Sequence, residues 1–186
     1  SISGAIVSLV GIFLFASCLS SCPQKTFGLG FDSFTYHTVW YEKVFMEKLS
    51  ILVALFLVAI AGIHVYWALG GLWPATDQAG LAAKVYGSAK TNRMPPPSAA
   101  YVVAGLLVLA ALLALCATQF LPTLGLPLPL IRFGAYGVAV IFLLRGGLGY
   151  LLPRLNSEVP EFARLNALIY SPLCLAIGLM LLAALN

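Results

Sequence analysis

The chain has 186 residues, of which 61% are hydrophobic and 9% charged, with ten Lys and Arg against six Asp and Glu for a net charge of +4. A soluble domain carries roughly 25% charged residues, so this composition and a mean hydropathy of +1.00 exclude an ordinary soluble domain and a disordered tail. The basic residues are too dilute for a phosphate-binding stripe, which excludes a nucleic-acid reader, and they fit a membrane protein with basic cytoplasmic loops.

Residues 2–19 form the first apolar stretch, interrupted by Ser3, Ser8 and Ser17. Its apolar centre has the length of a signal-peptide core, and Leu19-Ser20-Ser21-Cys22 resembles a lipoprotein cleavage box. The charged flank of a signal is missing, so the stretch is expected to be an uncleaved additional helix followed by an external loop over residues 20–47. A third reading makes the first 45 residues an extension ahead of a natural start at Met46. Residues 1–45 are accordingly set apart from a four-helix transmembrane domain over 46–186.

A bilayer core of about 30 Å needs roughly 20 apolar residues per helix. Four segments satisfy this: 49–69, 99–120, 131–152 and 163–185. No window alternates at period two, as a barrel strand would. The expected fold is therefore all-α, an integral membrane bundle of four transmembrane helices plus the additional N-terminal hydrophobic helix, because in lipid each backbone polar group must be paired within its own segment.

The loops set the orientation. Residues 71–98 carry Lys84, Lys90 and Arg93, and end in Pro95-Pro96-Pro97, which cannot donate backbone hydrogen bonds and belong in a loop entering the membrane. Within them, 80–90 is basic and partly amphipathic, and is expected on the surface facing anionic lipid. Residues 121–130 have no charge and are broken by Pro122, Pro127 and Pro129, which predicts an interfacial turn or re-entrant dip. Residues 153–164 hold Arg154 and Arg164. The positive-inside rule then places loops 71–98 and 153–164 in the cytoplasm and the C-terminus outside.

Polar groups in hydrocarbon each need a reason. His64, Tyr66, Trp67 and Trp73 lie near the end of the first strong helix. Arg145 is followed by Gly146, Gly147, Gly149 and Tyr150, and Asn166, Tyr170, Ser171 and Pro172 lie near the start of the fourth. At about 1.5 Å per residue, His64, Arg145 and Tyr170 fall roughly 9–11 Å below the same surface. His64, Tyr66, Trp67, Arg145 and Tyr170 are therefore the candidate ligand-binding cluster, open to the cytoplasmic side. The plainer roles are a core histidine for His64, an interfacial belt for the aromatics, packing for Gly70, Gly71, Gly146, Gly147 and Gly149, and a kink at Pro172. Arginine offers five donors and no acceptor. Arg145 is thus expected to point inward, toward the His64 ring, the hydroxyl of Tyr66 or Tyr170, the Asn166 carbonyl, Glu158 or Glu161.

No second intramembrane histidine pairs with His64, so no metal site is expected. Cys18, Cys22, Cys116 and Cys174 form no Cys-x-x-Cys pair. Phosphate loops, nucleophile elbows and zincin motifs are absent from the sequence, and the residues name no cofactor.

Two stretches carry a resemblance. His64-Val65-Tyr66-Trp67-Ala68-Leu69-Gly70-Gly71 with Trp73-Pro74, and Phe162-Ala163-Arg164 with Tyr170-Ser171-Pro172-Leu173-Cys174-Leu175, look like the opening and closing signatures of a family of small bacterial membrane proteins catalogued as domain of unknown function 3995. The likeness covers 46–186, and Arg145 falls where that family usually has an arginine. Members often carry an acidic residue shortly after that arginine and another where Asn166 stands; this chain has neither. The resemblance implies a four-helix bundle in the bacterial inner membrane and no known activity.

Two functions follow as expectations. The first is a structural or accessory subunit packing against a larger membrane complex, with the lipid bilayer and other membrane protein subunits as partners. The second is a binding protein or small transporter for an anionic or quinone-like ligand, held by the cytoplasmic-side cluster. A membrane enzyme using His64 as acid or base has the least support.

Overall fold

Long apolar runs free of glycine and proline favour helix, and in the computed structural model every regular element among the described residues is helical. The structure describes residues 32–87, 94–123, 125–156 and 160–186. The apolar stretch 2–19, Cys18, Cys22, Lys90, Arg93 and Glu158 lie outside the described residues, as does the Arg154 side chain. The chain divides into two units, residues 1–38 and 39–186, and the bundle belongs to the second.

The elements are α1 (Asp32–Ala68), α2 (Gln78–Val85), α3 (Pro97–Ala117), α4 (Leu128–Asn156), α5 (Pro160–Leu165), a π turn (Asn166–Tyr170) and α6 (Ser171–Leu185). Among the described residues, four helical stretches are long and apolar enough to cross a membrane: Glu42–Ala68, Pro97–Ala117, Leu128–Leu151 and, running continuously from α5 through α6, Pro160–Leu185. The chain is an all-helical, multi-pass membrane protein that meets the lipid bilayer along these four spans.

The ends of the helices differ from the sequence reading in three places. α1 begins at Asp32, inside the stretch expected to be an external loop, because no glycine or proline interrupts residues 32–61. It stops at Gly70, whose φ of +91° suits only a residue without a Cβ. There Gly70 N–H donates to Trp67 O and Gly71 N–H to Tyr66 O, at 3.0 and 2.9 Å, the double closure of a Schellman cap. α3 ends the same way with Gln119 at φ +60°, its N–H bonded to Cys116 O and that of Phe120 to Leu115 O. Lastly, α4 continues through Pro153 to Asn156, so most of the expected basic loop 153–164 is helical and only residues 157–159 separate α4 from α5.

Small residues let the helices approach. Ala110, Ala111 and Ala114 of α3 and Ala135 and Ala139 of α4 are buried, with Val53, Leu57, Ile177 and Leu181 filling the core between them. Gly146 of α4 receives Leu175 of α6, and Gly178 of α6 receives Leu143 of α4; a Cβ on either would stand 2.7–2.8 Å from the leucine Cγ. In lipid no hydrophobic force drives helices together, so such close backbone packing carries the association.

One end of the bundle is tied by short polar bonds. Ser50 donates to Glu47 O at 2.8 Å and accepts from Thr118 at 3.0 Å. Arg132 Nε donates to Ala117 O at 3.4 Å, and Tyr136 to Leu185 O at 3.3 Å. The start of the α1 span, the end of α3, the start of α4 and the end of α6 therefore meet there, which leaves the other end for the polar residues singled out above. At that other end α2 is a short helix capped by Asp77, which accepts from Gly80 N–H at 2.9 Å. Leu81 and Ala82 are buried, and α2 packs on α5.

Candidate functional site

The predicted site residues fall into three local groups. In the first, His64 donates from Nδ1 to Ile60 O, four residues back in its own helix, at 2.8 Å. Its ring meets that of Trp67 edge to face, with centroids 5.2 Å apart. Trp67 Nε1 donates to Trp73 O at 2.8 Å, and the Tyr66 hydroxyl accepts from Trp73 N–H at 3.4 Å. The Tyr66 ring lies over Gly71, where a Cβ would collide with it. The opening motif is thus a folded corner: its aromatics fasten the loop that follows α1 back onto the helix.

The second group joins α2 to the fourth span. Tyr170 donates from its hydroxyl to Lys84 O at 3.3 Å, and its ring lies 6.4 Å from that of Phe162. Lys84 Nζ in turn donates to Pro74 O at 3.2 Å and stands 3.7 Å from Glu161 Oε1. Gly87, with φ +71°, passes so close to Phe162 that a Cβ would overlap its ring. Lys84 is therefore the hub that pins the α1–α2 corner to α5. From sequence Lys84 is a charge in a partly amphipathic surface segment; its i, i+3 position after buried Leu81 is the signal for its place in the packing.

Arg145 belongs to the third group. Its Nη1 donates to Asn166 Oδ1 at 3.2 Å, while the side chain as a whole is exposed. Asn166 is 1% exposed, and its Nδ2 donates to Gly149 O in a short bond. Pro153 explains that second bond. A proline has no N–H, so the carbonyl four residues earlier, that of Gly149, has no helical donor. The Asn166 amide supplies it, which lets α4 pass through Pro153 without a stranded acceptor. Both halves of one amide are used, the oxygen on a cation and the nitrogen on an orphaned carbonyl.

The π turn positions Asn166 for this task. Ser171 N–H donates to Asn166 O, five residues back rather than four. Pro172, expected to kink the fourth span, sits in the first turn of α6, so the departure from α-helix lies in the five residues just before it. Such single π turns concentrate where a helix must present a side chain out of register. Ser171, 0% exposed, has no hydrogen-bond partner for its hydroxyl among the described residues. It packs on Gly149, where a Cβ would strike its Oγ and stand 2.9 Å from Arg145 Nη1 and 3.1 Å from Asn166 Nδ2. Gly149 therefore gives up its side chain so that three polar groups can converge on its backbone.

Among the described residues, no hydrogen bond joins His64 to Arg145 or to Tyr170, and no group of three His, Cys, Asp or Glu could hold a metal ion. Of the packing glycines named from sequence, Gly71, Gly146 and Gly149 face close neighbours, Gly70 terminates α1, and Gly147 faces open space.

The opening and closing motifs thus lie at one end of one bundle, on α1 and on the π-turned fourth span. No match was found among curated proteins or among solved structures. A family model does match, over residues 57–181, a stretch that starts within α1, ends within α6 and includes Arg145, Asn166 and the whole of α3 and α4. The chain therefore belongs to the family described as protein of unknown function (DUF3995).

Proposed function

We propose that this small membrane protein is a structural or accessory subunit that packs against a larger complex in a bacterial cytoplasmic membrane. The observation that carries the reading is a set of exposed glycines within the spans, Gly137 on α4 and two with exposed apolar neighbours on other helices. Gly62 on α1 and Gly105 on α3 would meet nothing within 4 Å if given a Cβ. Gly62 stands one turn from exposed Val58 and Tyr66, and Gly105 beside exposed Val102, Leu106 and Leu109. Neither glycine packs against another of the described residues, and small residues on an apolar helix face are what another membrane helix uses for close approach. The polar cluster supports the same reading. His64, Tyr66, Trp67 and Tyr170 spend their donors or acceptors on bonds within the chain, which is the work of a fastened scaffold.

The test is a photo-crosslinking amino acid at Leu106, in membranes of the native host, with and without Gly105→Leu. A discrete adduct with a larger membrane protein that disappears with Gly105→Leu supports the reading. Adducts to lipid alone, unchanged by the substitution, contradict it.

A further inference from the structure

We propose that Arg145, held by Asn166 at the π turn, is a binding site for the headgroup phosphate of an anionic phospholipid. The site lies on the flank formed by α4 and the π turn, and it does not depend on the accessory-subunit reading. Arg145 lies seven positions before the end of the apolar segment 131–152, a depth of about 10 Å. An arginine at such a depth extends its guanidinium toward the headgroups. Asn166 fixes one Nη but, being neutral, does not balance the charge. Among the described residues no carboxylate lies within ion-pair distance of it, and none but Asn166 accepts from its five N–H donors. The side chain is exposed, and a phosphate takes two of the remaining donors in a bidentate pair.

The surroundings fit a lipid better than a free anion. Leu144 and Leu148 on α4 and Leu168 and Ile169 on the π turn are all exposed, forming an apolar bed for acyl chains directly beside the cation. The Ser171 hydroxyl, buried and without a partner among the described residues, lies on the Gly149 backbone where Arg145 and Asn166 also converge, so the polar groups of this flank are concentrated at one spot. Lys84 and Arg164 at the same end add attraction for anionic lipid.

The experiment uses the full chain in a neutral detergent and follows the thermal midpoint as short-chain phosphatidylglycerol is added. Short-chain phosphatidylcholine and inorganic phosphate are run in parallel. The midpoint rises with phosphatidylglycerol and far less with the other two. Arg145→Gln lowers the apparent affinity about tenfold, the loss of one charge-assisted pair, whereas Arg164→Gln, which removes only longer-range attraction, lowers it by a clearly smaller factor. If Arg145→Gln does not yield folded protein, Asn166→Ala, which removes the brace and keeps the charge, carries the test, and a weakened lipid response is the expected result. An equal response in the wild type and the Arg145 or Asn166 variant overturns the proposal. Equal losses in the Arg145 and Arg164 variants do the same by showing diffuse attraction, and an equal response to inorganic phosphate does so by showing a site for a free anion.

Discussion

At the scale of single residues, Asn166 does what no other side chain of its size does, accepting from Arg145 while donating to the carbonyl that Pro153 orphans. Replacing it with leucine leaves a cation and an acceptor without partners. Hydrogen bonds between membrane helices average near 0.6 kcal/mol, but a stranded partner costs about 1–3 kcal/mol, so the second figure governs. Asn166→Leu is expected to lower the thermal midpoint in detergent clearly. Asn166→Asp falls between leucine and the wild type, because it strengthens the Arg145 pair and loses the bond to Gly149 O. Identical midpoints for leucine and the wild type would show that the amide bridges nothing. The sequence marked Asn166 as a polar residue near the start of the fourth span, and Arg145 as needing an acceptor. It concealed why an amide suits this chain, since that depends on Asn166 meeting, across a helix pair, the carbonyl of Gly149, four residues before Pro153.

At the scale of elements, the four spans were legible because hydropathy measures the solvent directly. Their ends were not. Pro153 reads as a stop until a side chain from another helix repairs the lost bond, and Gln119 carries a left-handed φ that sequence would assign to glycine or asparagine. Gly70 followed the common rule. Gly70→Ala puts a Cβ into a conformation that costs about 1 kcal/mol, and it loosens the corner that Trp67, Tyr66 and Trp73 close. Faster amide hydrogen exchange over residues 69–76, with exchange in α3 unchanged, is the expected result. The helix within the loop 71–98 was legible only as an amphipathic segment. Its cap at Asp77 and its attachment through Lys84 to Pro74, Glu161 and Tyr170 are tertiary facts.

At the scale of the whole molecule, the two ends are chemically unlike. One holds Ser50, Thr118, Arg132 and Tyr136 in hydrogen bonds that tie one helix to the next. The other gathers Lys84, Arg145, Arg164, Asn166 and the aromatic corner. The proposed orientation puts this second end in the cytoplasm. Single cysteines at Lys84 and Arg164, in a cysteine-free background, should resist a membrane-impermeant thiol reagent in intact cells and react after permeabilisation; reaction before permeabilisation would reverse the topology.

The proposed accessory role makes the most exposed prediction. A subunit that packs against a larger complex should leave the membrane with it. The direct measurement is the native mass of the full chain, mildly solubilised from its host membrane and identified by a C-terminal tag. The account predicts an assembly well above the 19.8 kDa of the chain, containing a second, larger membrane protein and dissociated by Gly105→Leu. A species of the chain alone, as monomer or self-oligomer, unchanged by that substitution, would contradict it.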